Sequence, residues 1–227
     1  MRSNTRNSIL TAAIAVAILI FCPALQATQT ISMISAPYSY AGQSVGPYTM
    51  NISPTPGNLL AFCLDGNQYF HSDTGNLRSA ASSVSPNLSV LQEDEVALLA
   101  SWSLTQDPNH NNITNVEGPI QLAIWNVMGT LPTGLTLTAA QTSAMNSYVT
   151  QAQTYYSQHT AFFNNTPGSF MSSVQIWTPT NWVHYTAGMS VSAENQRFIT
   201  FTPEPGTMVF LGTGVVLMAL SRIRRRR

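Results

Sequence analysis

Asn58-Leu59-Leu60-Ala61-Phe62-Cys63-Leu64-Asp65 is the stretch on which the fold turns. Residues 59–64 form a continuous apolar run closed by the polar turn Asp65-Gly66-Asn67, the pattern of a core strand. Upstream, 30–35 and 48–52 alternate polar with apolar side chains, and Pro54-Thr55-Pro56-Gly57 is a turn, so 30–62 reads as strands. Downstream the period changes. Leu91, Glu95, Leu98, Leu99 and Trp102 share one helical face, and Glu93, Asp94 and Glu95 suit a helix N-terminus. Residues 107–115 are a polar loop. Pro119 then opens a helix over 120–128 that Gly129 ends. A third helix is predicted over 138–159, capped by Thr138, with Ala140, Ala144, Tyr148, Ala152, Tyr155 and His159 on its apolar side. After Pro167-Gly168 the β-prone residues return: Val174, Ile176, Trp182, Val183, Tyr185 and 198–201. Strands, then helices, then strands predict an α+β domain, a β-sandwich or barrel with a helical insertion.

The two ends predict a route out of the cell. Arg2 and Arg6 precede an uncharged apolar run over 9–21, Pro23 breaks it, and Leu25 and Ala27 suit the −3 and −1 positions of a cleavage site. Residues 1–27 therefore read as a signal peptide, the alternative being an uncleaved anchor. Cys22 also admits a lipoprotein reading, against which Phe21 is too large for the position before a lipidated cysteine. At the other end, 207–220 is uncharged and apolar, and Arg222, Arg224, Arg225, Arg226 and Arg227 follow. This is the pattern of a single transmembrane helix whose basic flank stays in the cytoplasm, with everything before it outside. Just ahead of it stands Pro203-Glu204-Pro205. Pro-Glu-Pro, a short glycine-containing apolar segment and a terminal arginine cluster, in that order over 203–227, resemble the PEP-CTERM sorting signal. The resemblance implies an exosortase as processing partner and a Gram-negative, exopolysaccharide-making bacterium. It also implies a chain held in the inner membrane before processing and then at the cell surface or outside. An ordinary membrane anchor carrying Pro-Glu-Pro by chance is the alternative.

Between these ends lies one domain, 28–202. The stretch from Thr28 to Pro205 holds all nine acidic residues of the chain, only Arg78 and Arg197 as basic ones, and no lysine. An acidic ectodomain of this kind argues against nucleic acid or anionic lipid as its ligand. Its polarity rests on Ser, Thr, Asn and Gln, a surface that salt screens little. One cysteine, Cys63, remains after signal cleavage, so no disulfide can form within the domain. His71, His110, His159 and His184 lack metal-ligand spacing, and the sequence calls for no cofactor and no catalytic residue set.

Two segments stand out together: Phe62-Cys63-Leu64-Asp65 at a strand end, and Ile120-Gln121-Leu122-Ala123-Ile124-Trp125 at a helix start. The pair resembles the Cys-Gln thioester domains of bacterial surface adhesins, with Ala97, Ala100, Trp102 and Leu104 similar to the middle segment of that family. The resemblance covers roughly 60–130. It implies a Cys63–Gln121 thioester able to capture surface amines, with Asp65 and Trp125 in support. A thioester needs a thiolate and a polarised carbonyl. Asp65 is a candidate for orientation or proton handling, and backbone N–H groups at the start of the Pro119 helix for polarising Gln121. The residues admit a plainer reading as well: Cys63 as a small buried hydrophobe, Gln121 hydrogen-bonded within its helix, and 123–125 as ordinary core. On that reading the chain is a noncovalent exopolysaccharide-binding matrix protein that presents Trp177, Trp182 and Tyr185. A cysteine hydrolase pairing Cys63 with a histidine is the third class.

Overall fold

The computed structural model describes residues 29–35, 38–53, 57–67, 73–79, 88–164, 169–180, 182 and 196–201. The signal peptide and the sorting tail expected at 1–27 and 203–227 lie outside them, as do Val183 and Tyr185.

The chain is α+β. Strands β1 (Gln29–Ser35), β4 (Tyr48–Ser53), β5 (Asn58–Cys63), β6 (Asp73–Ser79), β7 (Val174–Pro179) and β8 (Phe198–Phe201) form a curled antiparallel sheet in the order β1-β4-β5-β8-β7-β6. Strand β6 also pairs with β1, which closes the ring as a barrel. A short hairpin, β2 (Tyr38–Tyr40) with β3 (Gln43–Val45), lies between β1 and β4. Its tip, Ala41-Gly42, has positive φ at both residues, as a tight two-residue hairpin loop requires.

The helices are inserted between β6 and β7: α1 (Val90–Gln106), a π-helical turn (Ile113–Glu117), α2 (Gly118–Met128) and α3 (Ala139–Gln158). A 3₁₀ turn (Thr160–Phe163) and the short α4 (Phe170–Ser173) lead back to the sheet. Helix α3 starts as expected, with Thr138 and Gln141 forming a capping box. Helix α1 has the same device in Ser89 and Gln92. Its acidic residues lie near the N-terminus as expected, with Glu93 in the first turn. Glu93, Asp94 and Glu95 are all buried, while Leu91, expected on the apolar face, is exposed.

Helix α2 is the centre of the domain. Every residue from Gly118 to Trp125 is buried, so the helix is enclosed on all sides. It shares one core with Ile31, Met50, Phe62 and Ile199 of the barrel and with Val96 and Leu99 of α1. Within that enclosed stretch Gln121 is the one amide side chain, and a buried amide is costly unless both of its ends are hydrogen-bonded.

Candidate functional site around Cys63 and Gln121

Strand β5 ends at the site. Cys63 pairs in register with Phe198 of β8, and the Leu64 N–H donates to the Arg197 carbonyl at 2.9 Å. The Cys63 side chain is fully buried. Its thiol donates to the backbone carbonyl of Asp65 at 3.5 Å, a long contact. Burial first, and then the nearby Asp65 charge, push the thiol far above its ordinary pKa, so it is protonated at neutral pH. The Asp65 carbonyl, the Trp125 side chain and Arg197 act in the opposite sense, but more weakly.

Gln121 is brought to the same point from the first turn of α2. Its Nε2 donates to the Cys63 carbonyl at 2.7 Å, and its Oε1 accepts the Gly46 N–H at 3.2 Å. Both bonds are buried, and together they fix the plane and direction of the carboxamide against Cys63. Gly46 enters the site because nothing larger fits. A Cβ there would stand 2.9 Å from Gln121 Oε1, 3.2 Å from Phe62 Cδ1 and 3.3 Å from the Ala61 carbonyl oxygen. Gly66 does the same for the indole of Trp125, whose Cδ2 would lie 2.8 Å from an added Cβ. The Trp125 Nε1 is buried and makes no full hydrogen bond. Its effect on Cys63 is that of a donor favouring the thiolate.

The N–H groups at the start of α2 do not polarise Gln121 as the sequence suggested. The π-helical turn runs directly into α2, and the Gly118 N–H is consumed by the Ile113 carbonyl. The donor on Oε1 is the N–H of Gly46, a residue that no motif in the sequence marks. The position is chemically apt. Negative charge that develops on Oε1 during attack at the carboxamide carbon would meet a donor already in place.

Asp65 is placed differently from a proton carrier. Its Oδ1 accepts Arg197 Nη2 at 2.7 Å, and its Oδ2 accepts Arg197 Nε at 3.0 Å and the Arg197 backbone N–H at 2.8 Å. Trp182 Nε1 adds a longer bond at 3.3 Å, and the Arg197 guanidinium lies 4.1 Å above the Trp182 ring. This is a two-pronged, buried ion pair under an aromatic lid. The carboxylate is fully engaged, and Asp65 reaches Cys63 through its backbone carbonyl and its charge.

The other candidates fall away from this point. Trp177, expected to be exposed, is buried between β6 and β8 and packs against Phe198. His110 bonds to Glu117 at 2.8 Å, and Ser103 donates to the other oxygen of the same carboxylate. The carboxylate therefore sits between hydroxyl and imidazole, which is not the order in which a base activates a nucleophile. No hydrogen bond joins Cys63 to a histidine among the described residues; His71 and His184 lie outside them. Among the described residues no group of three or more potential ligands is placed to hold a metal ion, and no helix is long and apolar enough to cross a membrane. No protein-family model, curated protein or solved structure matches the chain.

Proposed function

We propose that the chain is an exported cell-surface or extracellular-matrix protein, sorted by an exosortase through Pro203-Glu204-Pro205, structural or adhesive in role. On this reading Cys63 and Gln121 close a thioester that captures amines. The observation that carries it is the buried seating of the Gln121 carboxamide against Cys63, held by Gly46 on one side and the Cys63 carbonyl on the other. Closure balances without a redox partner. The sulfur bonds to the Gln121 Cδ, the Cδ–Nε2 bond breaks, and ammonia leaves with the thiol proton. An incoming amine reverses the logic: an amide forms, the C–S bond breaks, and the proton given up by the amine returns to Cys63. A domain without lysine has no ε-amine of its own to discharge the bond.

Two experiments test the two halves. Export and sorting predict a mature N-terminus at Thr28 and loss of the C-terminal peptides in cells that carry an active exosortase; a chain that keeps both ends contradicts it. Amine capture predicts that methylamine adds to Gln121 in the wild-type chain and not in Cys63→Ala, read by peptide mass mapping. Labelling that is equal in both chains contradicts it.

One observation favours a second reading. The full burial of Cys63 and its upward-shifted thiol suit a core residue in a noncovalent exopolysaccharide-binding matrix protein. Of the aromatic residues first considered for sugar contact, Trp177 is enclosed and Trp182 serves the Asp65–Arg197 pair. Tyr185, the third of them, lies outside the described residues.

A further inference from the structure

An aromatic ledge projects where the described chain ends. Tyr155 on the last turn of α3 is stacked on His159 at 4.1 Å and meets Phe162 and Phe163 edge-on at 6.1 and 6.3 Å. Phe162 is stacked on Phe170 at 4.8 Å, and Phe170 lies 6.0 Å from Phe201. Phe163 is buried and anchors the group, but Phe162 is 42% exposed although it is one of the largest apolar side chains of the domain. The segment that carries Tyr155, Phe162, Phe163 and Phe170 is itself uncharged: no Asp, Glu, Lys or Arg occurs between Glu117 and Glu194. Ring faces set among Ser, Thr, Gln and His are the composition of a surface that meets a membrane interface, where aromatic side chains combine an apolar body with a polar surround.

Chain continuity says which surface lies opposite. Phe201 belongs to the ledge and is the last described residue, and the apolar block begins at Thr207. Six residues span at most about 20 Å when fully extended. Phe201 therefore cannot stand farther than that from the start of the apolar block, and the rest of the ledge continues from it through Phe170 and Phe162. We infer that, while the tail holds the chain, this ledge lies on the phospholipid surface that surrounds the tail and orients the domain there. The inference rests on the reading of 207–220 as a membrane segment. It makes the ledge a docking face of the membrane-held precursor, given up when the tail is removed.

The test uses the full chain in phospholipid discs that contain a lipid with a photoactivatable diazirine near the headgroup. After irradiation, lipid-bearing peptides are mapped. The expected result is lipid on the peptides around Tyr155 and Phe162 as well as on 207–220, with none around Val90 and Leu91. Those two are exposed apolar residues at the opposite end of α1 from Trp102, which packs on Tyr155. The exposed-site variant Phe162→Glu should lose the ledge adduct and keep the tail adduct. Lipid on the tail alone, or a ledge adduct unchanged in Phe162→Glu, overturns the ledge and leaves the anchor standing. Lipid on neither overturns the membrane reading of the tail and the ledge with it.

Discussion

Two polar constructions hang from the end of β5, two residues apart, and they are built on opposite principles. At Asp65 the partner is a cation. Arg197 grips both carboxylate oxygens, and the charge is matched, hydrogen-bonded and covered. At Cys63 the partner is a neutral amide. The Gln121 carboxamide is fixed at both ends, one of them the Cys63 backbone carbonyl, yet the Cys63 thiol has a long contact to the Asp65 carbonyl and the Trp125 N–H that favours its thiolate goes without a full bond. In the first construction both carboxylate oxygens are bonded to Arg197, and it serves the fold. The second is rigid where the carbonyl must be held and unsatisfied where the sulfur sits, which is where a covalent step would change the bonding. The difference separates residues that look alike in a motif: Asp65 stands beside Cys63 in sequence but belongs to the lock.

The largest effect should come from breaking the lock. Arg197→Met leaves a buried carboxylate unpaired and should cost about 3–5 kcal/mol in denaturant unfolding; a loss under 1 kcal/mol would show that Asp65 finds another partner, and the contrast would fail. The Gln121→Ala change removes the amide but strands the Gly46 N–H and the Cys63 carbonyl. It should cost about 2–4 kcal/mol, from the unpaired groups and the cavity together.

Another buried acid, Asp94, sharpens the contrast because one of its carboxylate oxygens has no partner at all. Asp94 Oδ2 is buried without a hydrogen bond, and burial, reinforced by Glu93 and Glu95, raises its pKa from 3.8 to about 7. The folded state therefore holds a proton that the unfolded chain releases, so stability falls as pH rises from the ordinary carboxylate range to about 7 and levels off above it. Asp94→Asn should stabilise the domain at pH 8 by about 1–3 kcal/mol and make that slope shallower. Equal melting temperatures for the two chains at pH 8 would contradict this account. The smallest effect is expected at Ser89→Ala, which removes half of the α1 capping box and should cost about 1 kcal/mol, read by thermal unfolding.

Local signals carried much of the fold. The apolar run of β5, the proline and glycine that bracket α2, and Thr138 at the start of α3 each act within a few residues and were legible for that reason. The Ser89-x-x-Gln92 box is equally local and readable, although the start of α1 was read from the acids after it instead. What was not legible depends on distant pairing. Gly46 meets Gln121 across 75 residues, and Arg197 meets Asp65 across 132. Trp177 has the residue type of a sugar platform, and only its place in β7 between β6 and β8 shows that its ring faces inward. The sequence placed Cys63 and Gln121 in one motif pair; the role of Gly46, which closes the site, came from the structure alone.

The account rests on whether the carboxamide held at Cys63 reacts. The most direct measurement is the intact mass of the exported, purified chain beside its Cys63→Ala and Gln121→Ala variants and beside Gly46→Ala, in which the added methyl group would push on Gln121 Oε1. The account predicts a deficit of one ammonia in the wild-type chain, none in the Cys63 and Gln121 variants, and a reduced fraction in Gly46→Ala. A wild-type chain at its full calculated mass, with one thiol that titrates after unfolding, would contradict it and return Cys63 to the core.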